Sequence, residues 1–236
     1  MPTWPLVADA GPLGRPRVHF RLTDSTNARA RELAAAGAPH GALVTADDQS
    51  AGRGRQGRSW VSQPGRSLSC SLVIRDPPSL LSLVAGVAVA EVCGAEAMLK
   101  WPNDVLLGAQ KIAGILVEAR PQEGWAVLGI GINVALELDQ LDERTKQRAG
   151  TLGLEPSDVE SVLARLLDAL ASWLGMAESG VLAAVRARDA LLEQPVTWSD
   201  GQGSGAGIDE HGNLLVLLAD HRTIALNAGE VHLARP

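Results

Sequence analysis

Residues 52–58 (GRGRQGR) alternate glycines with three arginines. Glycine lets a backbone approach a ligand closely, and the forked guanidinium of arginine suits phosphate and carboxylate groups. We expect a loop that repels itself when empty and orders around an anion; the alternative is a solvated, mobile surface loop. A dinucleotide-binding fold is disfavoured, because loop and strand residues follow where that fingerprint needs a helix. Trp60, just beyond, suits either the core or stacking on an aromatic base.

The chain has only three lysines, and two of them open neighbouring motifs, residues 100–104 (KWPND) and residues 111–118 (KIAGILVE). Lys111 is a cation at the start of an otherwise apolar strand. Gly114, inside that strand, indicates the close approach of a ligand or of another backbone. The alternative is a β-hairpin with charged edges. Because both lysines and a Pro-Asn-Asp turn coincide, we favour a binding site.

Composition narrows the possible functions. The 236 residues carry a net charge of −6, which disfavours general binding to nucleic acid. Cys70 and Cys93 lie outside any metal-binding spacing, so a structural zinc site is not expected. The most apolar run, residues 80–93, is too short to span a bilayer and predicts a buried helix. Without a signal peptide or disulfide framework, the expected location is a reducing cytoplasm.

Hydrophobic periodicity predicts a main unit that mixes strands and helices. Residues 1–16 are expected to be irregular, and Ser79 and a Ser157–Glu160 capping box are expected to begin two of the helices. The predicted strands are residues 40–46, 66–75, 98–101, 105–107, 112–119 and 125–134. The predicted helices are residues 28–37, 80–93, about 158–174 and about 181–192.

After Pro195 the sequence changes to short β segments separated by glycine- or aspartate-containing turns. This pattern is typical of a small antiparallel barrel. We therefore predict a domain boundary near residue 192. Because the main unit lacks strict strand–helix alternation, its expected class is α+β with a mixed β-sheet.

Four motifs occur in order, GRGRQGRSW, KWPND, KIAGILVE and GIGINV, and DSTN precedes them. Over residues 24–134 they resemble the biotin–protein ligase (biotin–[acetyl-CoA-carboxylase] ligase) family. The tail segment GAGIDEHGNLLV resembles that family's C-terminal SH3-like barrel. The resemblance implies a catalytic domain, residues 1–192, with a class II aminoacyl-tRNA synthetase-like core, and an SH3-like domain, residues 193–236. Only about 16 residues precede the core, so the chain is similar to monofunctional members without an N-terminal helix-turn-helix domain.

The resemblance implies a two-step reaction. Biotin and ATP give biotinyl-5′-AMP and pyrophosphate, with Mg²⁺ serving the leaving group, and a lysine of a biotin carboxyl carrier domain then attacks the adenylate. The implied partner is an acetyl-CoA or related carboxylase, with no DNA and no membrane; a homodimer is compatible with the sequence. The alternatives are a lipoate-type protein ligase and a non-enzymatic biotin-sensing module.

The resemblance also implies roles for individual residues, none of them as a metal ligand. Lys111 would bridge the biotin carboxylate and the α-phosphate, and Asp104 would orient or deprotonate the incoming lysine; the alternative for Asp104 is a turn residue that caps its own backbone. The implied catalytic residues are Lys111, Arg53, Arg55 and Asp104. The implied biotin-binding residues are Ser25, Thr26, Asn27, Gln49, Arg53, Gly54, Arg55, Lys111 and Gly114. The implied nucleotide-binding residues are Arg55, Trp60, Asn103, Lys111 and Asn133.

Overall fold

The computed structural model of the chain describes residues 13–233, so most of the predicted irregular segment 1–16 lies outside it. The strands are β1 (Arg17–Thr23), β2 (Leu43–Gln49), β3 (Ser67–Arg75), β4 (Ala97–Lys100), β5 (Asp104–Leu107), β6 (Gln110–Arg120), β7 (Trp125–Asn133), β8 (Pro195–Trp198), β9 (Gly201–Ile208), β10 (Leu214–Leu217), β11 (Thr223–Leu226) and β12 (His232–Leu233). The helices are α1 (Thr26–Ala35), α2 (Leu81–Cys93), α3 (Glu143–Lys146), α4 (Val159–Leu174) and α5 (Glu178–Ala187).

The first seven strands form one mixed sheet in the order β1-β2-β3-β7-β6-β5-β4. Strands β1 and β2 are parallel, and every other neighbouring pair is antiparallel. At the centre, β3 and β7 pair without a register shift from Ser67 opposite Asn133 to Arg75 opposite Trp125. This unbroken ladder gives the sheet a rigid middle on which loops can hold functional groups.

The two faces of the sheet are covered differently. Leu72 and Leu128 belong to a large core cluster with α2, α4 and α5, whereas Val73 and Val127 belong to a small cluster with α1. Since successive strand residues point to opposite faces, these clusters mark the two sides of the sheet. Helix α1 is short and rich in alanine, so it leaves space for a site on its face of the sheet.

The last five strands form a second, antiparallel sheet in the order β11-β10-β9-β8-β12. The predicted α+β class with a small C-terminal β unit is therefore confirmed. The large core cluster includes Val196, Leu214 and Val231 from this region, so apolar packing continues across residue 192. The indole nitrogen of Trp101 also donates to the carbonyl of Gly212, at 3.0 Å.

Several local predictions were wrong. Strand β1 lies in a segment for which no strand was predicted. Helix α2 begins after Leu80, and Ser79 does not cap it, because its hydroxyl donates to Glu178 instead, at 2.5 Å. Helix α5 ends at Ala187, well before residue 192.

The capping box before α4 also differs from the prediction. It joins Glu155 and Asp158 in a 3₁₀ turn instead of Ser157 and Glu160. The Glu160 carboxylate is free to form a two-pronged ion pair with Arg17 of β1, at 2.6 and 2.7 Å. A long-range arginine thus replaces the expected local bond. No helix within residues 13–233 is long and apolar enough to cross a membrane.

Candidate active site

A cavity opens on the α1 face of the large sheet. It is bounded by the start of α1, the end of β2, the segment 52–60 and strands β6 and β7. The sequence-predicted residues in its wall are Ser25, Thr26, Asn27, Gln49, Arg53, Gly54, Arg55, Trp60, Asn103, Lys111 and Gly114. We call this the first cavity. The motifs, although far apart in the chain, converge because β6 and β7 are neighbours and α1 packs on β3 and β7.

A buried polar network forms one end of the first cavity. The backbone N–H and the hydroxyl of Thr26 both donate to Gln49 Oε1, at 2.8 and 3.2 Å. The Ser71 hydroxyl lies 2.6 Å from Asn27 Oδ1, and Asn27 Nδ2 donates to Glu118, at 2.8 Å. Since Gln49 Oε1 already accepts two bonds, the Gln49 amide directs its N–H groups elsewhere. The network therefore fixes which polar groups can meet a ligand.

The Ser25 side chain shows how the start of α1 serves the cavity. Ser25 is the N-cap residue of α1, but its side chain makes no capping bond. Ser25 lines the first cavity, and its hydroxyl has no hydrogen-bond partner within residues 13–233, so it is available to a bound molecule.

Two glycines of β7 make room for side chains from other elements. A Cβ atom on Gly129 would lie 2.0 Å from Asn27 Oδ1, and one on Gly131 would lie 2.3 Å from the Trp60 ring. Gly114 of β6 is tight as well, with Trp60 and Lys111 atoms 3.1 Å from the position of its Cβ. The close approach that the sequence indicated at Gly114 is therefore made by side chains.

The Gly131→Ala substitution is expected to displace the Trp60 ring, because a contact of 2.3 Å cannot persist. Trp60 lies on a loop and can move while the sheet stays intact. For ATP, the nucleotide that the family resemblance implies, we expect kcat/KM to fall by about tenfold or more, since misplaced binding groups cost rate steeply. Pyrophosphate release at varied ATP concentration measures the effect. Gly175→Ala is the control, because its nearest neighbour would be 3.6 Å away; equal kinetics in the two variants would contradict the prediction.

Lys111, Asp104 and Lys100 form a charged cluster beside the first cavity. Lys111 Nζ lies 2.6 Å from Asp104 Oδ1, and Lys100 Nζ lies 3.8 Å from Asp104 Oδ2. Burial is the main cause that lowers the pKa of Lys100; the Lys111 ammonium lowers it further, whereas the Asp104 carboxylate raises it. Asp104 is thus the counter-ion of two ammonium groups and not merely a turn residue.

A second cavity lies on the other side of Lys111 and Trp60, which line both cavities. Its wall includes the predicted residue Asn133 and a group that the sequence reading missed: Leu136, Leu141, Asp142, Arg144, Thr145 and Arg148. The missed segment carries no motif. It reaches the site because Lys111 N–H donates to the Arg148 carbonyl, at 2.7 Å, and Gly150 N–H donates back to the Lys111 carbonyl, at 2.8 Å.

Two buried polar atoms of residues that line the second cavity have no partner among the described residues: the Trp60 indole nitrogen and Asn133 Oδ1. Asn133 Nδ2, in contrast, donates to the Gly150 carbonyl, at 2.8 Å. The Lys111 ammonium lies 5.6 Å from the centre of the Trp60 ring, in a cation–π arrangement. Unpartnered buried donors and acceptors are costly, so this pair is suited to a polar ligand.

The segment 52–60 folds as a small hairpin, which we call the Gly-Arg hairpin. Arg53 and Ser59 form an isolated antiparallel bridge, and Trp60 N–H donates to the Gly52 carbonyl, at 2.9 Å. The expected self-repulsion is offset within the chain, since Arg58 pairs with Glu230, at 2.5 Å. The Arg53 side chain makes no hydrogen bond or ion pair within residues 13–233 and remains available in the wall of the first cavity.

Comparisons with known proteins identify the family of this chain. Residues 19–134 match the model of the biotin/lipoate A/B protein ligase family. The chain is 35% identical over 233 residues to a biotin–[acetyl-CoA-carboxylase] ligase of Mycobacterium tuberculosis, covering 89% of this chain and 85% of that protein. The chain belongs to the biotin–protein ligase family.

Two further relatives of this biotin–protein ligase family member are informative. A bifunctional ligase/repressor, BirA, from Bacillus spizizenii is 38% identical over 152 residues, and the chain spans about half of that protein's length (47%). The structure of a biotin protein ligase from Aquifex aeolicus in complex with biotin and ATP is 28% identical, with a TM-score of 0.81, covering 94% of this chain and all of that one. The likeness thus includes the C-terminal sheet.

The sequence analysis did not predict several residues of this biotin–protein ligase family member that contact the site from distant parts of the chain. Glu118 ends the KIAGILVE motif, yet its contact with Asn27 joins positions 91 apart in the chain. Gly229 and Glu230, in the C-terminal region, reach Arg55 and Arg58. A carboxylate inside an otherwise apolar strand is a signal that could have found Glu118. Nothing local marks Gly229 or Glu230.

Cys70 of β3 is among the residues that line the first cavity, but its thiol points to the opposite face of the sheet, into the large core cluster. Full burial raises its pKa to about 12, so it is a neutral thiol at physiological pH. Cys70 is therefore a core residue and not a nucleophile of the site.

Proposed function

We propose that the protein is an ATP-dependent biotin–protein ligase, which forms biotinyl-5′-AMP and transfers the biotinyl group to a lysine of a biotin carboxyl carrier domain. The observation that carries the proposal is the position of Lys111, whose side chain borders both cavities. A carboxylate bound in the first cavity and an α-phosphate bound in the second would meet at this ammonium group. The relatives named above support the choice of biotin and ATP.

In the first step, the biotin carboxylate attacks the α-phosphate and pyrophosphate leaves. Two anions must approach each other, so fixed cations have to offset their repulsion and the charge that develops in the transition state. Lys111 and the Arg53 and Arg55 guanidinium groups supply this charge at the first cavity. At the second cavity, Arg144 and Arg148 are placed to meet phosphate oxygens.

The polar network suits the uncharged end of biotin. A ureido group has one carbonyl acceptor and two N–H donors, and the Ser25 hydroxyl and the Gln49 amide face the first cavity. The Thr26 hydroxyl and the Asn27 amide are occupied within the protein, so we assign them to positioning. Trp60 and Asn133, with their unpartnered polar atoms, are assigned to the adenine end of the nucleotide.

Magnesium enters the proposal as the partner of the ATP phosphates. Residues 13–233 contain no group of three or more histidine, cysteine or acidic side chains placed to hold a metal ion. This fits an ion that binds mainly phosphate oxygens and water, as Mg²⁺ does in many nucleotide sites. When bound, it would neutralise the leaving pyrophosphate.

In the second step, a carrier lysine attacks the adenylate and AMP leaves. The incoming ammonium must lose a proton, because a free lysine has a pKa of about 10.4 in water. Asp104, paired with Lys111 and Lys100, is placed to orient that group by exchanging one ammonium partner for another. A carboxylate already paired with two cations is better suited to orientation than to proton removal.

The partner and the location follow from the same proposal. The acceptor would be a carrier domain of acetyl-CoA carboxylase or a related enzyme, in the cytoplasm, where Cys70 and Cys93 would stay as the free thiols observed. Within residues 13–233, β1 is an edge strand of the large sheet, and pairing of two copies along it would give a homodimer. The division into residues 1–192 and 193–236 stays a prediction.

The Arg55→Gly substitution is expected to loosen the Gly-Arg hairpin and let biotinyl-5′-AMP escape. Arg55 Nη1 donates to Asn103 and Nη2 to the Gly229 carbonyl, both at 3.1 Å, and glycine makes neither bond. We expect at least a severalfold rise in free adenylate, because loss of a charged group's hydrogen bonds is costly. Quantifying adenylate in the filtrate checks this. Release equal to that of the parent enzyme would contradict it.

The proposed function is tested by incubating the protein with biotin, MgATP and an apo carrier domain and then measuring intact mass. One biotinyl group added to the acceptor is expected. Parallel reactions with lipoate in place of biotin distinguish a biotin ligase from a lipoate-type ligase. A non-enzymatic sensing module would bind biotin without releasing pyrophosphate, and that result would overturn the proposal.

A further inference from the structure

The Gly-Arg hairpin is held by the C-terminal region as well as by the catalytic core. Arg55 donates to the Gly229 carbonyl, at 3.1 Å, and Arg58 Nη1 lies 2.5 Å from Glu230 Oε1. Both partners belong to the turn before β12, more than 170 positions away in the chain. Two of the three arginines of the hairpin are thus bound by one short turn.

The hairpin has little of its own to hold its shape. Its tip is exposed and polar, and Gln56 has a φ of 55°, in the left-handed region that non-glycine residues rarely adopt. Inside the hairpin, Gly54 N–H donates to the Arg58 carbonyl, at 2.7 Å. A tip with few buried apolar contacts opens easily unless something outside holds it.

Glu230 is well placed to be that holder. Its side chain is 24% exposed, compared with 52% for Arg58, so the carboxylate is the more fixed member of the pair. His232 Nε2 lies 3.6 Å from the same carboxylate oxygen. A partly shielded ion pair with one anchored member restricts the other more than a fully exposed pair does.

Restricting Arg58 affects the site directly, because Arg58 lies at its walls. Arg58 borders both cavities, and it also borders a narrow crevice whose walls include Lys100, Asp104 and Glu230. The position of Arg58 therefore fixes the position of the hairpin relative to the two cavities and the crevice. Holding Arg58 also places Trp60, two residues further on, against Gly131 and Lys111.

We infer that Glu230 is a positioning residue which, through Arg58, keeps the Gly-Arg hairpin closed over the reaction intermediate. The C-terminal sheet thereby controls whether the intermediate is retained until the acceptor arrives. This inference rests on the proposed function, because it takes the intermediate to be biotinyl-5′-AMP.

The test compares Glu230→Gln with Glu230→Asp and with Glu210→Gln. Glutamine keeps the size of the side chain and removes its charge, whereas aspartate keeps the charge. Glu210→Gln is the matched control, because Glu210 is an exposed carboxylate of the same region. Glu210 pairs with the adjacent His211, outside the site. For each variant, the readout is pyrophosphate released per acceptor biotinylated, with the melting temperature measured alongside.

In Glu230→Gln this ratio is expected to rise roughly threefold to tenfold, as expected for the loss of a partly shielded charged pair. Glu230→Asp should lie nearer the parent enzyme, Glu210→Gln should equal it, and the melting temperatures should stay close. Because salt screens exposed charges, added salt should raise the ratio in the parent enzyme more than in Glu230→Gln. An unchanged ratio in Glu230→Gln, or equal rises in the glutamine and aspartate variants, would overturn the inference. A parent enzyme that makes no adenylate would instead overturn the proposed function.

Discussion

Lys111→Ala is expected to lower biotin-dependent pyrophosphate release by roughly 100- to 1,000-fold, which is the usual cost of removing one preorganised charge-stabilising group. Lys111 lies between the two cavities, and its ammonium contacts Asp104, at 2.6 Å. Alanine removes the cation that would offset repulsion between carboxylate and phosphate. It also leaves the Asp104 carboxylate without this partner, and that negative charge would repel the reacting anions. Both effects slow the first step.

Pyrophosphate release with saturating biotin and MgATP measures this effect without any acceptor. Lys146→Ala is the matched control, because Lys146 lies in neither cavity wall and forms an exposed ion pair with Asp139, at 2.5 Å. The control should keep a near-parental rate. A Lys111→Ala variant that releases pyrophosphate at a near-parental rate would refute the role assigned to Lys111.

Asp104→Asn is expected to slow transfer from biotinyl-5′-AMP to the acceptor by roughly 100-fold, the loss that misplacing a reacting group can cause. The amide is nearly isosteric but no longer attracts an ammonium group. The substitution also leaves Lys100 and Lys111 without their shared counter-ion. The pKa of Lys100, already lowered by burial, should then fall further, because the Asp104 carboxylate is a cause that raises it.

A single-turnover reaction of preformed biotinyl-5′-AMP with an apo carrier domain isolates this step. Asp220→Asn, at an exposed turn of the C-terminal sheet, serves as the control. Because Asp104 is assigned to orientation, raising the pH should speed transfer by the same factor in the parent enzyme and in Asp104→Asn, since it makes more of the acceptor lysine neutral in both. If transfer is unchanged while pyrophosphate release falls, Asp104 acts only on the first step, and its assignment to transfer is wrong.

The walls of the first cavity could be predicted from the sequence because each belongs to a short, contiguous motif. The start of α1, the Gly-Arg hairpin and the KIAGILVE strand each carry residue types whose chemistry shows locally. Their meeting follows from the pairing of β6 with β7, where Gly114 lies opposite Gly131. Periodicity alone predicted these two strands nearly to the residue.

The rest of the site depends on contacts that no local pattern encodes. Residues 141–148 are held at the second cavity by backbone bonds between Lys111 and residues 148–150 and by the bond from Asn133 to the Gly150 carbonyl. Glu230 reaches Arg58 only after both sheets have formed. The Ser157–Glu160 capping box failed for the same reason, because Glu160 has a stronger partner in Arg17, which belongs to a distant strand.

The continuous apolar core has a thermodynamic consequence for the two sheets. Val196, Leu214 and Val231 pack in the same cluster as the residues of α2, and the Arg186 guanidinium donates to the Ile208 carbonyl, at 2.8 Å. Regions that share one core gain little from folding separately, so both sheets should unfold in one cooperative transition. Any ligand that binds only the folded cavities would then stabilise the C-terminal sheet by mass action, although that sheet lies outside the walls of both cavities.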